Sequence, residues 1–200
     1  MSPQQTISRG FADPVFESQA AFRALLVTLS EPGALQTVSS GIEPPDGLDR
    51  ATATALLTLA DYETPIWLPE RLRAGAAGAW LRFHCGAALA QFPTDAAFAV
   101  LDAASDTPLL SAFCVGTDLF PDRSATVLVQ CEGLEDGLPV TLAGPGIPGR
   151  RTIAPRGLRP GFWAEMVDNA ALYPLGVDIV LCCGAALIGL PRSTQVEDIG

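Results

Sequence analysis

Two hundred residues, 48% apolar and only 17% charged, can build one core with roughly 70% of the unfolded surface buried, with no disulfide or metal staple. All twelve basic residues are arginine, against 22 acidic ones, so the chain carries −10 and has no lysine. That excludes Schiff-base and pyridoxal-phosphate catalysis and any Walker-type phosphate loop, and it disfavours sequence-independent duplex binding. A membrane reading fails as well, because the uncharged stretch 179–191 is too short to span a bilayer. The leader 1–10 is polar and has no apolar signal core, so a soluble, cytoplasmic protein is expected, with no nucleic acid or membrane partner.

The first helix is expected from Asp13-Pro14, with Asp at the cap and Pro in the first turn. Ala21, Phe22, Leu25, Leu26 and Leu29 recur at helical spacing until Glu31-Pro32-Gly33 stops it. Asp49 is placed to cap a second helix through Leu56, Leu57 and Leu59. Residues 64–68 read as a short strand, and Pro69 onward as a helix ending near Gly75 or Gly78. Trp80 to His84 alternates and reads as another strand, and 97–101 is a fourth apolar segment. Pro108 to Val115 reads as a short helix ending at Gly116. The clearest strand is 125–131, with Pro139 to Leu142 as its hairpin neighbour across Glu135-Asp136-Gly137. Pro160 to Leu172 has helical spacing, and 177–183 with 186–190 form a hairpin around Gly184-Ala185.

No repeat or composition break divides the chain. The reading is one α/β domain over 11–194, a mixed, partly antiparallel sheet flanked by helices. Residues 1–10 form a polar leader open to disorder, and 195–200 a polar tail. The five cysteines, an odd number without a C-x-x-C, read as reduced cytosolic thiols. Cys182 and Cys183 point to opposite faces of a strand, which argues against joint metal ligation, so no metal site is expected.

His84 is the single histidine, and any nucleophile–base pair would need it. Arg82 and His84 are two apart, so in a strand they share a face that can hold a phosphonate or triphosphate oxygen. The competing reading is a face pair that anchors a carboxylate such as Asp61. Arg150 and Arg151 follow the glycine- and proline-rich segment 143–149, either an anion cradle or, with more weight, a surface turn or a subunit edge. Arg192 is a docking residue or the partner of Asp178 in a local ion pair. Trp67, Trp80 and Trp163 read as core, while Asp118 with Asp122 and Glu132 with Glu135 read as solvated loops.

Several blocks in this order resemble one family. They are Ala21-Phe22-Arg23 with 30–33; 56–61 with 64–68; Leu81-Arg82-Phe83-His84; Gly116-Thr117; 142–147; 174–178; and 190–194. Together they resemble PhnH, the H subunit of the bacterial carbon–phosphorus lyase system, from about Phe11 to Thr194. Cys85 and Ser193 depart from the threonines usual there. The resemblance implies a fold like that of pyridoxal-phosphate-dependent transferases, without the cofactor. It implies assembly with the G, I and J subunits, and a homodimer when isolated. The implied reaction displaces adenine from ATP with an alkylphosphonate, giving a ribose 1-alkylphosphonate 5-triphosphate. It requires the G, H, I and L components, with nucleosidase activity in the I subunit. With no convincing catalytic constellation, the expectation is an accessory or structural subunit without a cofactor. The alternative is a free-standing phosphonate- or nucleotide-binding enzyme or sensor built on Arg82 and His84.

Overall fold

The computed structural model describes residues 7–102 and 107–199. Its elements in chain order are α1 (Pro14–Ser30), β1 (Leu35–Thr37), α2 (Arg50–Leu59), β2 (Ile66–Trp67), α3 (Glu70–Arg73), α4 (Ala76–His84), β3 (Phe98–Asp102), β4 (Thr126–Gln130), β5 (Val140–Ala143), β6 (Arg151–Ile153), α5 (Phe162–Ala171), β7 (Asp178–Cys183), β8 (Ala186–Leu190) and β9 (Gln195–Ile199). A six-stranded sheet runs β1-β8-β7-β4-β3-β2, and a three-stranded sheet runs β6-β5-β9. Strands β2, β3, β4 and β7 are parallel, whereas β8 turns back antiparallel on β7 and β1 on β8.

This is the expected single mixed α/β domain, and its layers follow from the strand sequences. Val127 and Val129 face one core and Leu128 the other, as do Ile179 and Leu181 against Val180 and Cys182. With both faces covered, the central strands keep polar residues only at their ends, Asp102 of β3, Thr126 and Gln130 of β4 and Asp178 of β7. One core lies under α1 to α4, through Leu25, Leu56, Leu72, Trp80 and Leu81. The other joins the large sheet to α5 and the small sheet, through Phe162, Met166, Val140, Leu142 and Ile153. Cys182 and Cys183 fall on opposite sides, as the strand period requires.

Four expectations need correction. Residues 80–84 are the end of α4, a helix whose buried Ala77, Trp80 and Leu81 recur at three and four. Gly75 starts that helix as its N-cap, and Gly78 lies inside it, where a Cβ would come 2.2 Å from the Arg73 carbonyl oxygen. Residues 139–142 do not pair with β4. The Gly137 amide donates to the Ala154 carbonyl at 2.7 Å, which turns the chain into the small sheet, where β5 meets β6 and β9. The residues read as a polar tail form β9 on that sheet. Helix in 108–115 is confined to one tight turn, Leu110–Ala112.

Burial decides the behaviour of the sheet's thiols. It pushes the Cys131 thiol up to about 12 and raises that of Cys182 as well. A raised folded value means that the stabilisation is complete below the unfolded thiol's pKa, about 8.5, and is lost as pH climbs toward the folded value. We expect the melting temperature to fall between pH 9 and 12. In a Cys131→Ala variant the fall should be shallower by about 3–5 °C per pH unit. Identical alkaline slopes in calorimetry would exclude this account.

Candidate functional site

The histidine sits at the last residue of α4, beside the leader. Asp13 caps α1 by accepting the Phe16 amide, and Glu17 one turn on accepts the amides of Ala12, Asp13 and Gly41. Those bonds, the Gly41 amide foremost, hold the Glu17 carboxyl below the ordinary carboxylate value. The chain just before passes beside α4, where the Arg9 carbonyl accepts the Glu43 amide at 3.0 Å. There the Ser8 carbonyl accepts two ring N–H groups, Trp80 Nε1 at 3.0 Å and His84 Nε2 at 3.0 Å. A carbonyl only accepts, so Nε2 is the ring nitrogen that donates to it. His84 lies 4.7 Å from the Trp80 ring and 5.0 Å, edge on, from Phe83. Gly10 is buried against it, and a Cβ there would stand 2.8 Å from Nδ1. Beside this cluster is an open hollow of about 610 Å³ lined by Arg9, Phe11, Ser18, Thr58, Phe83 and His84.

Arg82 does not join it. Two residues on a helix are about 200° apart, so the shared strand face does not exist. Arg82 is exposed and makes no ion pair among the described residues. Asp61 is not held by either residue. Its Oδ1 accepts the Glu63 amide and the Thr64 hydroxyl in a local turn after α2.

Arg150 and Arg151 diverge. Arg150 pairs with Glu197 of β9, which raises its already high pKa further. Arg151 donates to the carbonyls of Glu31 and Pro32 at the end of α1, where a cation offsets the helix dipole. The preceding loop is packed on the same helix end, since a Cβ on Gly146 would come 2.3 Å from the Ser30 oxygen. Arg192 grips Asp178 through both carboxylate oxygens and donates to the Pro121 carbonyl and Ser124 hydroxyl.

The family described as "Bacterial phosphonate metabolism protein (PhnH)" matches residues 9–197. The chain belongs to the PhnH family. It is 39% identical over 193 residues to "Alpha-D-ribose 1-methylphosphonate 5-triphosphate synthase subunit PhnH" of Rhizobium meliloti (strain 1021), covering 96% of both chains. It is 31% identical over 180 residues to "Putative C-P lyase subunit protein HtxG" of Stutzerimonas stutzeri, covering 90% of this chain and 85% of that one. Among the described residues no helix is long and apolar enough to cross a membrane.

The structure adds a further pair of arginines, Arg156 and Arg159. Arg156 pairs with Glu132 and Asp136, so Glu132 is an ion-pair partner rather than a purely solvated loop residue. Arg159 pairs with Glu165 of α5, whose carboxylate also accepts the Leu110 amide at 2.8 Å. Both arginines border a hollow of about 670 Å³ with Leu138, Leu158, Trp163 and Ile199. The signal was present in Pro155-Arg156-Gly157-Leu158-Arg159-Pro160-Gly161, a turn-forming run with two cations. Its partners lie 20 to 24 positions upstream for Arg156 and only six downstream for Arg159, and no local period links them.

Proposed function

We propose that the chain is an accessory subunit of the complex that converts ATP and an alkylphosphonate into ribose 1-alkylphosphonate 5-triphosphate. The observation that carries this is the family match across residues 9–197, together with a relative named as a subunit of the methylphosphonate synthase. Its partners are then the G, I and J subunits, it forms a homodimer when isolated, and it works in the cytoplasm. The scattered polar groups support a structural role: the arginines at 150, 151, 156, 159 and 192 bind groups inside the chain. Any interface role for Arg192 and Asp178 is then indirect, through the loops that they hold.

Co-expression with the G, I and J subunits tests the proposal. The expected result is a stable complex that forms product when the L component is supplied, and loses it when this chain is omitted. The purified chain alone turns nothing over. No complex in size-exclusion chromatography would overturn it.

A second reading has one observation behind it, the 610 Å³ hollow onto which His84 opens. A free-standing site there would need His84 as its base. Under the accessory reading, Arg82→Ala and His84→Ala assemble normally and keep product formation within about twofold. A loss on the scale of general-base removal, about a hundredfold or more, would move the chemistry into this chain.

A further inference from the structure

We propose that Cys131 and Cys183 form a redox modification site, a thiol pair that a small-molecule disulfide oxidises to an intrachain disulfide. Cys131 directly follows β4 and Cys183 ends β7, and these strands run parallel with Gln130 opposite Cys182. The Cys131 amide donates to the Cys182 carbonyl at 2.7 Å, which extends the ladder one step and sets Cys131 opposite Cys183. Alternate residues of a strand share a face, so both thiols follow Val129 and Leu181 toward the core shared with α5. Adjoining strands place their α-carbons about 4.8 Å apart, inside the roughly 4.4–6.8 Å of disulfide-bonded pairs. The other thiols have no such neighbour. Cys182 faces the opposite core, while Cys85 and Cys114 donate to the Leu81 and Arg123 carbonyls in separate parts of the fold.

Access sets the order of events. Cys131 is buried, whereas Cys183 is half-buried beside the exposed hairpin tip at Gly184, so Cys183 meets the oxidant first. It loses its proton and attacks one sulfur of the small disulfide, releasing one small thiol and leaving a mixed disulfide. Cys131 then gives up its proton and attacks the Cys183 sulfur, expelling the second small thiol. The protein loses two electrons and two protons, and the small disulfide gains both. Burial, and after it the Asp49 and Asp136 carboxylates, raise the Cys183 thiol, with Arg156 opposing them. Burial also pushes the Cys131 thiol up to about 12. Both groups therefore rest as thiols, and closure needs a sustained excess of oxidant. Once closed, the bond breaks slowly, because a buried thiolate is a poor leaving group. It encloses the chain from 131 to 183, with β5, β6 and α5, and so restricts the unfolded state.

The test incubates the folded full chain with excess oxidised glutathione at mildly alkaline pH, blocks the remaining thiols and maps tryptic peptides by mass spectrometry. The expected product joins peptide 124–150 to peptide 157–192 with the loss of two hydrogens and no retained glutathione. The second peptide holds both Cys182 and Cys183, so Cys182→Ala is mapped in parallel and should keep the cross-link. Oxidation should raise the melting temperature by about 5–10 °C, and dithiothreitol should reverse the rise. Cys183→Ala and Cys131→Ala should each abolish both the cross-link and the rise. Glutathione retained on Cys183 with Cys131 still free would overturn the proposal. So would a bond through Cys182, Cys85 or Cys114, one between two chains, or recovery of both thiols unreacted. None of these results bears on whether the chain joins the G, I and J subunits.

Discussion

Replacing Gly189 by alanine is expected to destabilise the protein by about 3 kcal/mol, lowering its melting temperature by about 6–12 °C. The residue lies in β8, buried where α1 crosses the sheet. A Cβ on it would stand 2.1 Å from the Thr28 carbonyl oxygen and 2.7 Å from that residue's carbonyl carbon. Its φ is not in the left-handed region, so strain plays no part, and the requirement is for empty space. Thr28 is itself fully buried, and its hydroxyl donates to the Ala24 carbonyl at 2.8 Å, so the helix backbone cannot roll aside without exposing bonded groups. α1 would have to lift from β8, loosening Leu25 from the core at the same time. Trimming Thr28 to alanine should not rescue the variant, because the clash is with backbone. Gly184 at the tip of the β7–β8 hairpin is the control. It has φ +57 with open space around it, so Gly184→Asn should cost under about 1 kcal/mol. Urea unfolding would decide the matter, and a Gly189→Ala midpoint equal to wild type would sink the explanation.

What the sequence could announce about this fold follows the range of its interactions. Asp13-Pro14 and the apolar spacing after it specify α1 because capping and periodicity are local, and the helix starts at Pro14 as expected. The hairpin 178–190 is equally local, with Gly184 supplying the positive φ at its tip. Trp80 to His84 reads as a strand in sequence but lies in α4, because five residues of mixed polarity satisfy either period. Only the longer window from Ala77, with its tight contact at Gly78, shows a helix. Residues 139–142 and 195–199 depart from their expected places for another reason. Val140 pairs with Ile199 and Leu142 with Val196, partners more than fifty positions away across a bulge, and no turn signal announces such a pairing. The candidate site divides along the same line. His84 was legible as the single imidazole, but its bond to Ser8, 76 positions earlier, was not.

Arg192→Ala should cost about 3 kcal/mol, and Arg192→Lys most of that, because the loss is of geometry as much as of charge. The guanidinium and the Asp178 carboxylate meet fork to fork, at 3.1 Å from Nε and 2.5 Å from Nη2, with side chains only 14% and 23% exposed. The remaining donors reach the Pro121 carbonyl at 2.6 Å and the Ser124 hydroxyl at 2.5 Å, so one side chain ties the ends of β7 and β8 to the turn before β4. Lysine offers a single point charge on a flexible stem, and it cannot span Asp178, Pro121 and Ser124 together. Removing the arginine side chain leaves Asp178, among the described residues, with the backbone amide of position 192 at 2.9 Å, in a half-closed site. The double variant Arg192→Ala/Asp178→Ala should therefore lose less than the two single losses added, with a coupling of about 1–2 kcal/mol. Additive losses in a double-mutant cycle would mean that the pair is screened by solvent. The rigidity then attributed to Arg192 would have to come from the backbone bonds of the hairpin itself.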